Sequence, residues 1–130
     1  MLAHWYSARL REHWSTLAPV PGNYSEYKLA AQSGYLMTAA DPNNPSVEVE
    51  DCVSQQGQHH DHILMLKDGC ENRGYQRLRS VGWVFSTPRP GTQPLYRCYS
   101  DGEASHFAAN SEDCDHAGKM EALLGYDLKQ

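Results

Sequence analysis

The large apolar residues of this chain fall in short runs bounded by turn residues, and the runs recur in one order three times. The last third is the clearest. Residues 94–99 (Pro-Leu-Tyr-Arg-Cys-Tyr) are aromatic and apolar, which predicts a strand. Residues 100–105 carry the Ser, Asp and Gly of a turn, and His106-Phe107-Ala108 starts a returning strand. Ala117, Met120, Leu123 and Leu124 then take helical spacing behind Ser111, a plausible N-cap. This predicts a short helix within 111–124, stopped by Gly125, and a further strand over 126–128.

The other thirds follow the same order. In the second, strands are predicted over 47–53, 62–66 and 83–85, with a turn at 55–61 and a helical or irregular crossing over 70–81. In the first, strands are predicted over 5–10, 14–17 and 35–38, with a helical turn over 25–33. Segments 41–45 and 87–94, rich in Pro with Asn or Gly, read as turns between the units.

A motif marks the period. A histidine followed by a large apolar residue precedes a Gly-aromatic pair: His13-Trp14 with Gly34-Tyr35, His62-Ile63 with Gly82-Trp83, His106-Phe107 with Gly125-Tyr126. The histidine-to-glycine separations are 21, 20 and 19. Self-similarity at roughly 45 residues makes the repeat the unit of architecture. The chain is therefore expected to be a single domain of three repeats, about 1–45, 46–92 and 93–130.

The cysteines keep the same register. Cys70 and Cys114 each lie eight residues after their histidine, while Cys52 and Cys98 precede theirs by ten and eight. Of the three pairings open to four cysteines, the repeat selects Cys52–Cys70 and Cys98–Cys114. Each bridge closes a short loop worth about 3 kcal/mol.

The expected fold is mainly β with short helical segments. Its internal repeat would be pseudo-three-fold, in a small three-bladed propeller-like or pinwheel arrangement, with a β-trefoil as the alternative. Closure predicts that the strand near Trp5 pairs with the one near Leu128, which removes a sheet edge and brings the termini together.

Composition narrows the function. The formal net charge is −5 and no basic stripe is visible, which argues against nucleic acid or an anionic membrane as partner. No apolar run approaches membrane-spanning length. Residues 1–12 lack a signal-peptide core, yet disulfides imply an oxidising compartment. The expectation is a mature or excised piece of a secreted protein.

Residues 94–99, Ser105-His106-Phe107, Cys114 and Leu123-Leu124-Gly125-Tyr126 resemble a repeat of unknown function in secreted bacterial and fungal proteins. Asp61-His62-Ile63, Cys70-Glu71 and Val81-Gly82-Trp83-Val84 are similar to a second copy. Residues 12–16 with Gly34-Tyr35 resemble a divergent third that lacks both cysteines. The second copy also departs, since residues 49–52 replace the aromatic-Arg start. The resemblance implies an accessory module of extracellular hydrolases, peptidases or lipases, with carbohydrate or cell-wall polysaccharide as partner.

Candidate chemistry centres on the repeated positions. Trp14, Ile63 and Phe107 read as core, so strand alternation turns His13, His62 and His106 away from it or into a central channel. There they are structural, line ligand pockets, or form a three-nitrogen metal site. Tyr35, Trp83 and Tyr126 offer flat apolar faces with a polar edge, suited to sugar rings, with Arg97, Glu71 and Glu121 as polar companions. The run 58–62 (Gln-His-His-Asp-His) has good metal-ligand types but poor spacing, and reads as a solvated hairpin turn. Glu112 and Asp113 read as acids at a helix start. No nucleophile elbow or metalloprotease helix is present, so the expectation is no enzyme and no cofactor.

The function these features favour is non-catalytic, lectin-like carbohydrate binding through repeated shallow pockets. The alternatives are a protein-interaction or spacer module of a secreted enzyme, and a small metal-binding protein. The expected ligand-binding residues are His13, Tyr35, His62, Trp83, Arg97, His106 and Tyr126.

Overall fold

The computed structural model describes residues 1–17, 26–57 and 59–130, with the side chain of Gln56 excepted. The protein is mainly β. Its strands are β1 (Leu2–Ser7), β2 (Glu12–Leu17), β3 (Lys28–Gln32), β4 (Ser46–Gln56), β5 (His59–Leu66), β6 (Gln76–Phe85), β7 (Thr92–Ser100), β8 (Ser105–Ala109) and β9 (Lys119–Leu128). One short helix, α1 (Gly69–Asn72), and 3-10 turns at Asp101–Glu103 and Cys114–His116 complete the described elements.

Each third contributes three antiparallel strands with its first strand in the middle; β2-β1-β3 forms one sheet, and the other two thirds join in a six-stranded sheet of order β5-β4-β6-β9-β7-β8. The hairpin registers agree. His13 pairs with Tyr6, His62 with Val53 and His106 with Tyr99. Four residues before those partners stand Leu2, Val49 and Leu95, all fully buried, and they meet in one core with Leu64, Val81, Val84, Ala108 and Leu124.

The thirds join through short bridges in a cycle. Tyr35 pairs with Leu128, Met37 with Trp83, and Phe85 with Tyr126. Each post-glycine aromatic thus pairs its backbone with the residue two past the aromatic of another third. The repeated glycines make this approach possible. A Cβ on Gly34, Gly82 or Gly125 would strike the carbonyl oxygen of Leu128, Met37 or Phe85 respectively. On the other side of each third, β2, β5 and β8 pack against one another.

Several sequence expectations need correction. The helical spacing over 111–124 does not produce a helix, and the crossing over 70–81, expected to be helical or irregular, is helical only as far as Asn72. β9 and β6 run through Leu124 and Val81 as strands, and only single turns form beside the cysteines. The physical reason is a pair of β-bulges. The β4·β6 register slips after Val49 and Asp51, and the β7·β9 register slips after Leu95 and Arg97. Each slip breaks the two-residue alternation, so apolar positions on a bulged pair take three- and four-residue spacing. Gly125 lies inside β9 and stops no helix. Glu112 and Asp113 accordingly precede a 3-10 turn, where the Asp113 carboxylate accepts from the Asp115 N–H.

Of the expected helical turn over 25–33, Ser25 lies outside the described residues and Lys28–Gln32 is a strand. Residues 35–38 form two single bridges and no strand. Leu128 pairs with Tyr35, while β1 pairs with β2 and β3, so the expected pairing near Trp5 is absent. The termini are nonetheless neighbours. Ser33 donates its N–H to the Leu2 carbonyl, and its own carbonyl accepts from the Gln130 side chain.

Both expected disulfides form, Cys52–Cys70 and Cys98–Cys114. Each sits in a satellite cluster, one with Ile63, Met65 and Tyr75, the other with Phe107, Ala109 and Tyr96. In the first third Trp5 stands opposite Trp14, as Cys52 does opposite Ile63 and Cys98 opposite Phe107. An indole therefore fills the place of a bridge.

Candidate functional site: three histidine junctions

Strand alternation predicted that the repeated histidines turn away from the core or into a central channel. They do not reach solvent. His13, His62 and His106 are each 6 % exposed, and so are their apolar successors buried. β2, β5 and β8 cover one another, so these strands are buried on both faces. The histidine of one third lies against another third. His62 stacks on Trp14 with centroids 4.2 Å apart, and His13 lies 5.0 Å from Phe107. The three rings occupy separate surroundings. Among the described residues they do not gather into a metal-sized cluster. The one group of suitable atoms is Glu50 with Cys52 and Cys70, whose sulfurs are already bonded to each other.

The His13 junction is closed by its own hydrogen bonds. The Tyr6 hydroxyl donates to Glu103 Oε2, and the Ser100 hydroxyl donates to Oε1 at 2.8 Å. Glu103 Oε1 also lies 2.7 Å from His13 Nε2, so that nitrogen carries the proton. His13 Nδ1 is then the acceptor for His4 Nε2 at 2.7 Å. Burial pushes the Glu103 carboxyl up, but the bonds from Tyr6, His13 and Ser100 outweigh it and hold the group at about 2. Burial, helped by His13 and opposed by Glu103, lowers His4 to about 4.

The other two junctions each open onto a cleft, and their parts correspond. In one, the Tyr27 hydroxyl donates to Glu12, at 2.6 Å. In the other, the Tyr75 hydroxyl donates to Asp61, at 3.0 Å. Glu12 and Asp61 each precede a repeated histidine. The His62 cleft, about 290 Å³, is lined by Tyr27, Val53, His60 and His62 among others. The His106 cleft, about 250 Å³, is lined by Asp61, Tyr75, Tyr99 and His106 among others.

The two clefts differ in charge. In the second, His106 Nδ1 lies 2.8 Å from Asp61, and Nε2 lies 3.0 Å from Glu121. The Arg97 Nε donates to the same Glu121 oxygen at 3.0 Å. Arg97 and Glu121 thus join His106 in one charged network. The His62 ring, in contrast, has its Nδ1 buried without a hydrogen-bond partner among the described residues. Burial, reinforced by His60 and His59 and opposed by Asp61, lowers this imidazole to about 3.

The Gly-aromatic residues lie elsewhere. Tyr35 is 44 % exposed, while Trp83 and Tyr126 are half-buried. Their backbones form the bridges between thirds, and none lines either histidine cleft. Glu71 lies in α1 beside the first disulfide. His59 and His60 belong to β5 and not to a solvated turn; Gln58 lies outside the described residues. His59 Nε2 donates to the Ala104 carbonyl at 2.8 Å, and the His60 N–H donates to buried Glu12 at 2.7 Å.

The cleft residues that sequence reasoning passed over are Tyr27, Tyr75, Tyr99 and Val53, while Asp61 was weighed only within the run 58–62. The available signal was position: Val53 and Tyr99 each directly follow a cysteine, Cys52 and Cys98, and Tyr27 and Tyr75 lie 14 and 13 residues after His13 and His62. Comparison with protein-family models, curated proteins and solved structures finds no match for this chain. Two disulfides are present, and no helix among the described residues is long and apolar enough to cross a membrane.

Proposed function

We propose that this protein is a secreted, non-catalytic carbohydrate-binding module, with its three thirds acting as blades around a common axis. The observation that carries the reading is the repeated cleft. At two junctions a tyrosine hydroxyl bonded to a carboxylate stands beside a buried histidine, under a strand residue that supplies an apolar or aromatic wall. Sugars need this combination of a few fixed polar groups and a flat apolar surface. Two weak sites on one rigid body gain affinity for a polymer by avidity where sugars repeat at matching spacing. The sequence resemblance to accessory repeats of secreted enzymes points the same way.

The protein-interaction reading draws on exposed apolar side chains, among them Leu29, Leu66, Met120 and Leu123. One experiment separates the two. Untagged protein, with disulfides intact, is screened against glycans and polysaccharides with and without chelator. Saturable binding that survives chelation and weakens in Tyr99→Ala supports the carbohydrate module. Absence of binding to every glycan by the folded protein rejects it in favour of the interaction module. Binding abolished by chelator alone transfers the role to a metal.

A further inference from the structure

We propose that the His62 cleft is the principal sugar subsite, and that it takes a neutral sugar carrying a methyl group, of the deoxyhexose or N-acetylhexosamine class. This deepens, and rests on, the carbohydrate-binding reading.

The first ground is an unsatisfied group. His62 is 6 % exposed, lines the cleft, and has its Nδ1 buried with no partner among the described residues. Leaving a buried polar atom unpaired is unfavourable, so such an atom beside a cavity marks a place where a bound hydroxyl or amide restores a bond. Burial keeps the ring neutral, and a neutral imidazole offers one donor and one acceptor. That pair matches hydroxyl groups and does not call for a charged ligand.

The second ground is the lining. Among the described residues, no Asp, Glu, Lys or Arg lines this cleft. Its walls include the Leu10, Val53 and Leu78 side chains, with the amides of Gln55 and Gln76 beside them. An uncharged site favours an uncharged ligand, because a charge moved there loses hydration without gaining a counter-ion. Three aliphatic side chains provide cover for a methyl group, and two amides complement ring hydroxyls or an acetamido group. The His106 cleft has the opposite character, with Asp61 on its wall and Glu121 behind His106.

The test uses the whole chain and four free sugars: L-rhamnose, N-acetylglucosamine, cationic glucosamine and anionic galacturonate. Binding is read by calorimetry, and its place by amide and indole NMR shifts. Trp14, stacked on His62, serves as a local reporter. Two variants probe the site. His62→Phe keeps an aromatic ring against Trp14 but removes both nitrogens. Leu78→Asp places a charge on the wall at a position already 40 % exposed, where the fold tolerates it. Leu123→Asp, at another exposed position, is the control.

The expected result is a neutral methyl-bearing sugar bound in preference to both charged ones, shifts at Trp14, and at least tenfold weaker binding in both variants but not in the control. Preference for rhamnose or for N-acetylglucosamine identifies the class. Binding that persists in both variants and disappears in Tyr99→Ala places the sugar at His106; that overturns this inference and leaves the carbohydrate reading standing. Preference for a charged sugar also overturns it. Failure of every sugar and polysaccharide to bind overturns both.

Discussion

The carbonyl oxygen of Met37 lies where residue 82 would carry a side chain, 2.6 Å from the position of a Cβ on Gly82. This contact is one of three that join the thirds, and Gly82 also has a positive φ of 123°. Gly82→Ala is therefore expected to destabilise the fold by about 3 kcal/mol, combining overpacking with backbone strain. Gly91, at φ 79° with open space around its Cβ position, isolates the strain alone. Gly91→Ala should cost about 1 kcal/mol. Denaturant midpoints of the two variants check the difference, and equal losses would show that the Met37 contact is not what residue 82 serves.

Each disulfide ties a first strand to the turn before its third strand, across 18 and 16 residues of sequence. Replacing Cys52 and Cys70 together by alanine should cost about 3 kcal/mol, and the Cys98/Cys114 pair a similar amount. Unfolding curves with and without reductant test this. Reductant should no longer shift the midpoint once both pairs are replaced.

Asp51 is fully buried and accepts from Trp14 Nε1 at 2.9 Å and the Thr16 hydroxyl at 2.8 Å. Burial raises its pKa to about 6, against the opposing hydrogen bonds from Trp14 and Thr16 and the charge of Arg79. Its contribution is present below the ordinary carboxylate range and is lost as pH rises through about 6. An asparagine keeps an acceptor for both donors. Asp51→Asn should thus be more stable than the parent by about 2 kcal/mol above pH 6, with the gap closing below pH 4. Thermal unfolding at a series of pH values decides it, and a constant gap would refute the linkage.

His4 and His62 act in the opposite direction. Their folded-state values, about 4 and about 3, lie below the ordinary 6.5. The stability they contribute is complete above pH 6.5 and disappears as pH falls toward those values. Two such groups outweigh the single Asp51, so stability should drop between pH 6.5 and 4. His62→Phe, which retains an aromatic ring against Trp14, should lose less over that interval. An unchanged slope in the variant would remove His62 as a cause.

The Asp61–His106 pair is nearly buried, with side chains 15 % and 7 % exposed. Asp61→Asn should destabilise by about 2 kcal/mol, since it leaves one side of the imidazole without its anionic partner. A double-mutant cycle with His106→Gln measures the coupling directly. A coupling energy near zero would mean the carboxylate serves Tyr75 alone.

Much of the architecture was legible in the chain because it is written in local spacing. The mainly β class, the strand pairs at the hairpins and both cysteine partners follow from residues that recur at matching offsets. The strands over 76–81 and 119–124 read as helical or irregular because bulges shift apolar residues out of strand alternation. A bulge depends on the partner strand, which spacing within one segment cannot reveal. The site was half legible. The histidines stood out, but their burial did not, since alternation assumes that a strand has one open face.

What the sequence determined by itself is the unit: a hairpin, a cysteine-stapled turn and a third strand entered through a glycine. Tertiary structure alone decided what the units do to one another. Packing β2, β5 and β8 together buried three equivalent histidines in unlike ways. His13 is sealed by Tyr6, Glu103 and His4. His106 is held between Asp61 and Glu121. His62 stacks on Trp14 beside a cleft, its Nδ1 without a hydrogen-bond partner among the described residues. The partners come from residues up to 90 positions away in the chain, as His13 and Glu103 do. Hydrogen bonding and desolvation depend on which groups meet in space, so histidines in similar sequence settings acquire different chemistry only once the chain has folded.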